Sequence, residues 1–95
     1  MSKELFILPN ETDMKPYLLM KTLKVEVEKK GEIFSFYNED LNITSIGYSK
    51  SESHRNFIKF LKDDYLSYVN ASDEHLSNGA KKLKLKYKSY IRGAT

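Results

Sequence analysis

Adjacent carboxylates are the first chemistry the chain offers, at Glu39-Asp40 and Asp63-Asp64. Paired acids of this kind can hold Mg²⁺ for phosphodiester cleavage. A working hydrolytic site needs acids converging from several elements. Here one pair falls in a turn and the other on the exposed side of an expected helix, so no catalytic residue is assigned. The histidines, His54 and His75, stand 21 positions apart with no Asp or Glu at i, i+4 spacing. That arrangement matches no metal-ligand pattern, and both are read as surface residues. The chain has no cysteine, so disulfides and thiolate metal sites are excluded. No metal and no cofactor are expected.

The remaining chemistry is cationic. Residues 76–95 contain Lys81, Lys82, Lys84, Lys86, Lys88 and Arg92 and no acid. Removing those six from the sixteen basic residues leaves ten against thirteen acids, so residues 1–75 carry a formal charge of −3. A basic end on an acidic body can meet nucleic acid or an acidic partner, and Lys81, Lys82, Lys84, Lys88 and Arg92 are the candidate contacts. The simpler alternative is a solvated helix face close to the chain's own acids. Phe34 and Phe36 share one strand face and could stack on bases. Core packing beneath a helix is the more common fate of Phe-x-Phe, and the basic glycine–aromatic motif of an RNA-binding sheet is missing.

These residues must be carried by a small α+β fold. "ELFIL" (4–8) reads as a strand ended by Pro9, and residues 9–17 as a loop. "LKVEVEKK" (23–30) alternates as a strand with one wet face. Gly31 supplies the positive φ of a hairpin turn, "IFSFY" (33–37) returns, and "ITSIGY" (43–48) makes a third strand. Gly47 then marks a sharp corner. Ser49 is placed as an N-cap, with Glu52 three residues on completing an S-x-x-E capping box. Phe57, Phe60, Leu61, Tyr65 and Tyr68 recur at helical spacing, so a helix runs from about 50 to 69.

Leu76, Ala80, Leu83, Tyr87 and Ile91 make a second helical stripe, beginning at Ser72 or Asn78. "KLKLKYK" (82–88) also alternates like a strand. The helix reading is favoured because its stripe is longer and Lys and Leu are good helix formers. As a helix, Lys81, Lys84 and Lys88 form one basic ridge. As a strand the segment suggests a ribbon-helix-helix, but only seven residues follow Lys88, too few for its two helices.

The expected class is a three- to four-stranded antiparallel sheet in β-β-β-α order with a helix on one face and a second, C-terminal helix. At 95 residues one domain is expected. It divides into an N-terminal strand and loop extension (1–20), a β-β-β-α core (21–70) and a basic C-terminal helix or tail (71–95). The face away from the helix needs a second subunit, or cover from the N-terminal segment and last helix. "LFILP" is too short for a signal peptide or membrane span, so a cytoplasmic protein without membrane contact is expected.

From Leu23 to Val69 the chain resembles the HicB-like antitoxin family. The residues carrying the likeness are Asp40-Leu41, Gly47, Ser49, Glu52 and Asn56, with Phe57 after the Asn. Ser53 stands where that family most often has Ala. The family's Pro-Gly after the acidic-Leu pair is missing, "NI" stands there one residue shorter, and no helix-turn-helix follows. The resemblance implies a nuclease-like β-β-β-α fold without catalytic activity. Its expected role is to neutralise a small RNA-cleaving toxin by covering that toxin's active site. Many members also repress their own operon through an added DNA-binding segment, and solitary members exist. The expectation for this chain is a non-enzymatic, protein-binding antitoxin. It would self-associate as a homo-oligomer, a dimer, through its sheet or last helix. The alternatives are a nucleic-acid-binding module using the basic C-terminal segment, or a solitary HicB-like protein.

Overall fold

The computed structural model describes residues 2–8, 13–14 and 17–93. Pro9, the expected end of the first strand, and most of the expected 9–17 loop lie outside them. The chain runs β1 (Ser2–Leu8), β2 (Asp13–Met14), β3 (Tyr17–Leu19), β4 (Leu23–Lys30), β5 (Ile33–Asn38), β6 (Ile43–Gly47), α1 (Lys50–Asn70), a 3-10 turn (Asp73–His75), α2 (Asn78–Tyr90) and β7 (Ile91–Arg92). The main sheet is antiparallel with order β1-β4-β5-β6. The fold is therefore α+β, with a four-stranded sheet, a helix on one face and a second helix after it.

The alternation read in β4 sets this geometry. Leu23, Val25 and Val27 are buried, and the register aligns them with Leu8, Phe6 and Glu4 of β1. Across β5 and β6, Val27 faces Phe36 and Phe36 faces Ser45. Phe57, Leu61 and Tyr65, one face of α1, close over this surface. Phe36 packs against Phe57 at a centroid distance of 6.4 Å. Phe60, placed in the core stripe by its spacing, is instead exposed. It lies about 100° around the helix from Leu61, turned away from the row formed by Phe57, Leu61 and Tyr65 that closes over the sheet.

Two turns need a left-handed backbone, and both have it. Gly31 has φ of 61° in the β4–β5 hairpin and Asn42 has φ of 54° before β6. The second turn is clamped by Asn38, which is buried. Its Nδ2 donates to the Lys24 carbonyl at 2.8 Å, and its Oδ1 accepts from the Leu41 amide at 2.7 Å.

The segment 82–88 is helical. Leu83 and Tyr87 turn toward α1, while Leu85, which a strand would put beside them, is 67% exposed. Tyr87 stacks on Tyr68 at 5.3 Å. The N-terminal strand extends the edge of the sheet and does not cover its open face, and α2 packs on α1. Leu5, Ile7, Ile33 and Ile46 on that face stay exposed. A second sheet, β2-β3-β7, had no counterpart in the sequence reading. It pins the end of α2, and the Met20 amide donates to the Tyr90 carbonyl at 2.6 Å.

Candidate functional site

Gly47, Ser49, Glu52 and Asn56 meet at one corner between β6 and α1, and each has a mechanical task; Asp40 and Leu41 lie apart, in the β5–β6 turn. An ideal Cβ on Gly47 would lie 2.6 Å from the Ser53 backbone nitrogen, so only glycine lets α1 come this close to β6. The Glu52 amide donates to Ser49 Oγ at 3.1 Å, the expected N-cap. The return half of the box differs from expectation. Glu52 Oε1 accepts from the Tyr48 amide at 3.2 Å, one residue before Ser49, because the tight corner swings that amide toward the first helical turn. Asn56 Nδ2 donates to the Ile46 carbonyl at 2.9 Å. Beneath them Ser45 Oγ donates to the Ser53 carbonyl at 2.8 Å, both residues being buried. Gly47, Ser49, Glu52 and Asn56 thus tie α1 to the last strand.

The cations of α2 and β7 fall into two groups. Lys84 Nζ donates to the carbonyl of Ala71, the C-cap of α1, at 2.8 Å and pairs with Asp73 at 3.1 Å. The last turn of α1 has no basic residue of its own, so Lys84 supplies the cation that a helix C-terminus favours. This hydrogen bonding holds the Asp73 carboxyl below the usual range. Lys86 pairs with Asp40 Oδ1 at 3.1 Å, and Tyr90 donates its hydroxyl to Asp40 Oδ2 at 2.6 Å. Tyr90 first, then Lys86, lowers the Asp40 carboxyl, and the same bond pushes the Tyr90 hydroxyl up to about 12. Lys81, Lys82, Lys88 and Arg92 are exposed, and no side-chain hydrogen bond or ion pair joins them to any described residue. The ridge inferred from Lys81, Lys84 and Lys88 is therefore redrawn as Lys81, Lys82, Lys88 and Arg92, with exposed Leu85 among them.

The acid pairs do not converge. Asp40 is held by α2, and Asp64 Oδ2 accepts from the buried Tyr87 hydroxyl at 3.3 Å. Burial first, then Asp64, pushes the Tyr87 hydroxyl upward. Among the described residues no three His, Asp or Glu side chains are grouped to hold a metal ion. His75 is exposed as expected. His54 is half-buried instead of exposed. Its ring lies 5.7 Å from that of Phe6 and 5.8 Å from that of Phe36, and its Nε2 is buried without a hydrogen-bond partner. The first turn of α1 sits beneath the edge of β1, a contact invisible to local spacing. Where α2 meets the sheet, an open groove of about 580 Å³ carries Lys24, Glu26, Glu39, Asp40, Lys86 and Tyr90. Its charges are mixed, so it selects no single sign of ligand. No helix among the described residues is long and apolar enough to cross a membrane.

No family model, curated protein or solved structure gives a significant match to the chain.

Proposed function

We propose that this is a non-enzymatic, HicB-like protein of the cytoplasm that acts by protein–protein contact, as the antitoxin of a small RNA-cleaving toxin, and that it self-associates as a dimer. The observation supporting this reading is the corner from Gly47 to Asn56. The side chains of Ser49, Glu52 and Asn56 hold α1 on a β-β-β unit, the element order that the antitoxin resemblance implies. Co-expression with the product of an adjacent gene for a small basic protein tests it. The expected result is co-purification and relief of RNA cleavage. Undiminished cleavage in the presence of this chain overturns the reading.

A second reading has its own observation. Lys81, Lys82 and Lys88 along α2 and Arg92 on β7 are exposed without ion-pair partners among the described residues, which suits phosphate contact without sequence readout. Four such contacts predict a log–log salt slope of about −3.6 on duplex DNA, from roughly 0.9 per phosphate. Anisotropy titrations from low to physiological salt read this slope, and a flat response removes the reading.

A further inference from the structure

The two edges of the main sheet are treated differently by the fold. At β6 the Ile46 carbonyl accepts from Asn56 and the following Tyr48 amide is taken by Glu52. At β1 the strand runs seven residues in unbroken register with β4. No strand among the described residues lies beside its outer side. Edge strands of folded proteins are ordinarily shortened, bulged or charged, because a free row of backbone donors and acceptors invites another strand. None of these devices operates between Glu4 and Leu8. Glu4 is the one charged residue there, and it pairs with Lys50 of its own α1 at 3.1 Å. Leu5 is 64%, Phe6 37% and Ile7 45% exposed.

We infer that β1 pairs antiparallel with β1 of a second copy about a two-fold axis through Phe6, joining two four-stranded sheets into one. Backbone geometry restricts the occupant to an extended strand, and self-complementarity selects the copy. Directly opposed residues in an antiparallel pair share a face, so the axis must pass through a residue. An axis through Glu4 sets two carboxylates opposite each other, which is repulsive. An axis through Leu5 sets Glu4 against Phe6 and Ile7 against position 3, a lysine in the sequence. An axis through Phe6 opposes Leu5 to Ile7 twice on the open face and Phe6 to Phe6 on the helix face. It alone matches every exposed apolar residue of the strand with another exposed one; Glu4 then lies opposite the buried Leu8 and keeps its ion pair with Lys50. The inference rests on the self-association proposed above and adds its surface and register; it is independent of the toxin.

Light scattering coupled to gel filtration, together with single-cysteine variants, tests it, and the absence of native cysteine makes the variants clean. The wild type is expected at twice the 11.1 kDa of one chain. Ile7→Lys, an exposed position, is expected at the single-chain mass with unchanged circular dichroism. Under oxidation Phe6→Cys should form a linked species of twice the chain mass. Leu5→Cys and Ile7→Cys should each fail alone but link when mixed, because position 5 of one copy faces position 7 of the other. A monomeric wild type overturns the self-association and this inference together. A dimer that survives Ile7→Lys, or in which Leu5→Cys links by itself, overturns only the surface or register proposed here. A β1 edge that becomes protected from hydrogen exchange only when a foreign protein is added assigns the edge to that protein and overturns the inference.

Discussion

Gly47 is the residue on which the packing of α1 turns. A methyl group there meets the Ser53 backbone nitrogen at 2.6 Å, and backbone cannot step aside as a flexible side chain can. Gly47→Ala is expected to cost about 1–3 kcal/mol or more, read as a lower urea midpoint. Ser49→Ala removes one cap hydrogen bond and should cost about 1 kcal/mol. His54 runs the other way. Its Nε2 is buried between Phe6 and Phe36 with no partner, which carries a desolvation cost that no hydrogen bond offsets. His54→Leu fills similar space without the orphaned nitrogen. It is expected to stabilise by about 1 kcal/mol, raising the melting temperature by roughly 4–8 °C. A lower melting temperature would mean that the imidazole contributes something the apolar contacts do not. Local spacing marked Gly47, Ser49 and Glu52 because caps and corners are made by neighbours in the chain. It misread His54 because the aromatic rings around it come from β1 and β5.

At the scale of the element, α2 shows why charge alone is a poor guide to function. The six basic residues of positions 76–95, five of them on α2, look alike as a sequence, yet Lys84 caps α1 and Lys86 holds Asp40. Lys84→Ala is expected to lower stability by about 1–2 kcal/mol, since a part-buried carbonyl and a helix end lose their cation, and to leave any nucleic-acid salt slope unchanged. Lys88→Ala is expected to leave stability unchanged and, if the phosphate reading holds, to reduce that slope by about 1. Thermal melts and salt titrations of the two variants separate a structural lysine from a binding one. The segment itself satisfied two periodicities at once. Helix prevailed because α1 offers Tyr68 and Asp64 as partners for Tyr87, and a helix turns Leu83 and Tyr87 inward while leaving Leu85 outside, whereas a strand would put all three on one side.

Over the whole molecule, the end of α2 is joined to the sheet through Asp40, Lys86 and Tyr90, and through β7 pairing with β3. The Asp40 carboxyl is held below its usual range, so the stability it contributes is present above about pH 4 and lost as acid protonates it in the folded state. The Tyr90 hydroxyl is raised from 10.0 to about 12, so its contribution is complete below about pH 10 and lost as pH climbs toward 12. Tyr90→Phe is therefore expected to melt lower than wild type at neutral pH, with the gap narrowing between pH 10 and pH 12. A gap constant over that range would show that the Tyr90–Asp40 bond does not link α2 to the turn. The Glu39-Asp40 turn gave no sign of this partnership in the sequence, because Asp40 and Tyr90 lie 50 residues apart.

The pattern of residues alone determined the α+β class, the strands from Leu23 to Gly47, the capped start of α1 and the absence of disulfides. Each of these depends on periodicity, turn chemistry or composition, all of which act between near neighbours. Only the tertiary structure decided that the N-terminal strand widens the sheet at its edge, leaving β1 open. It likewise decided which lysines bind solvent, that Asn38 clamps the β5–β6 turn, and that a small second sheet pins the last helix. Those outcomes follow from backbone and side-chain groups satisfying one another across long separations, which no local spacing encodes.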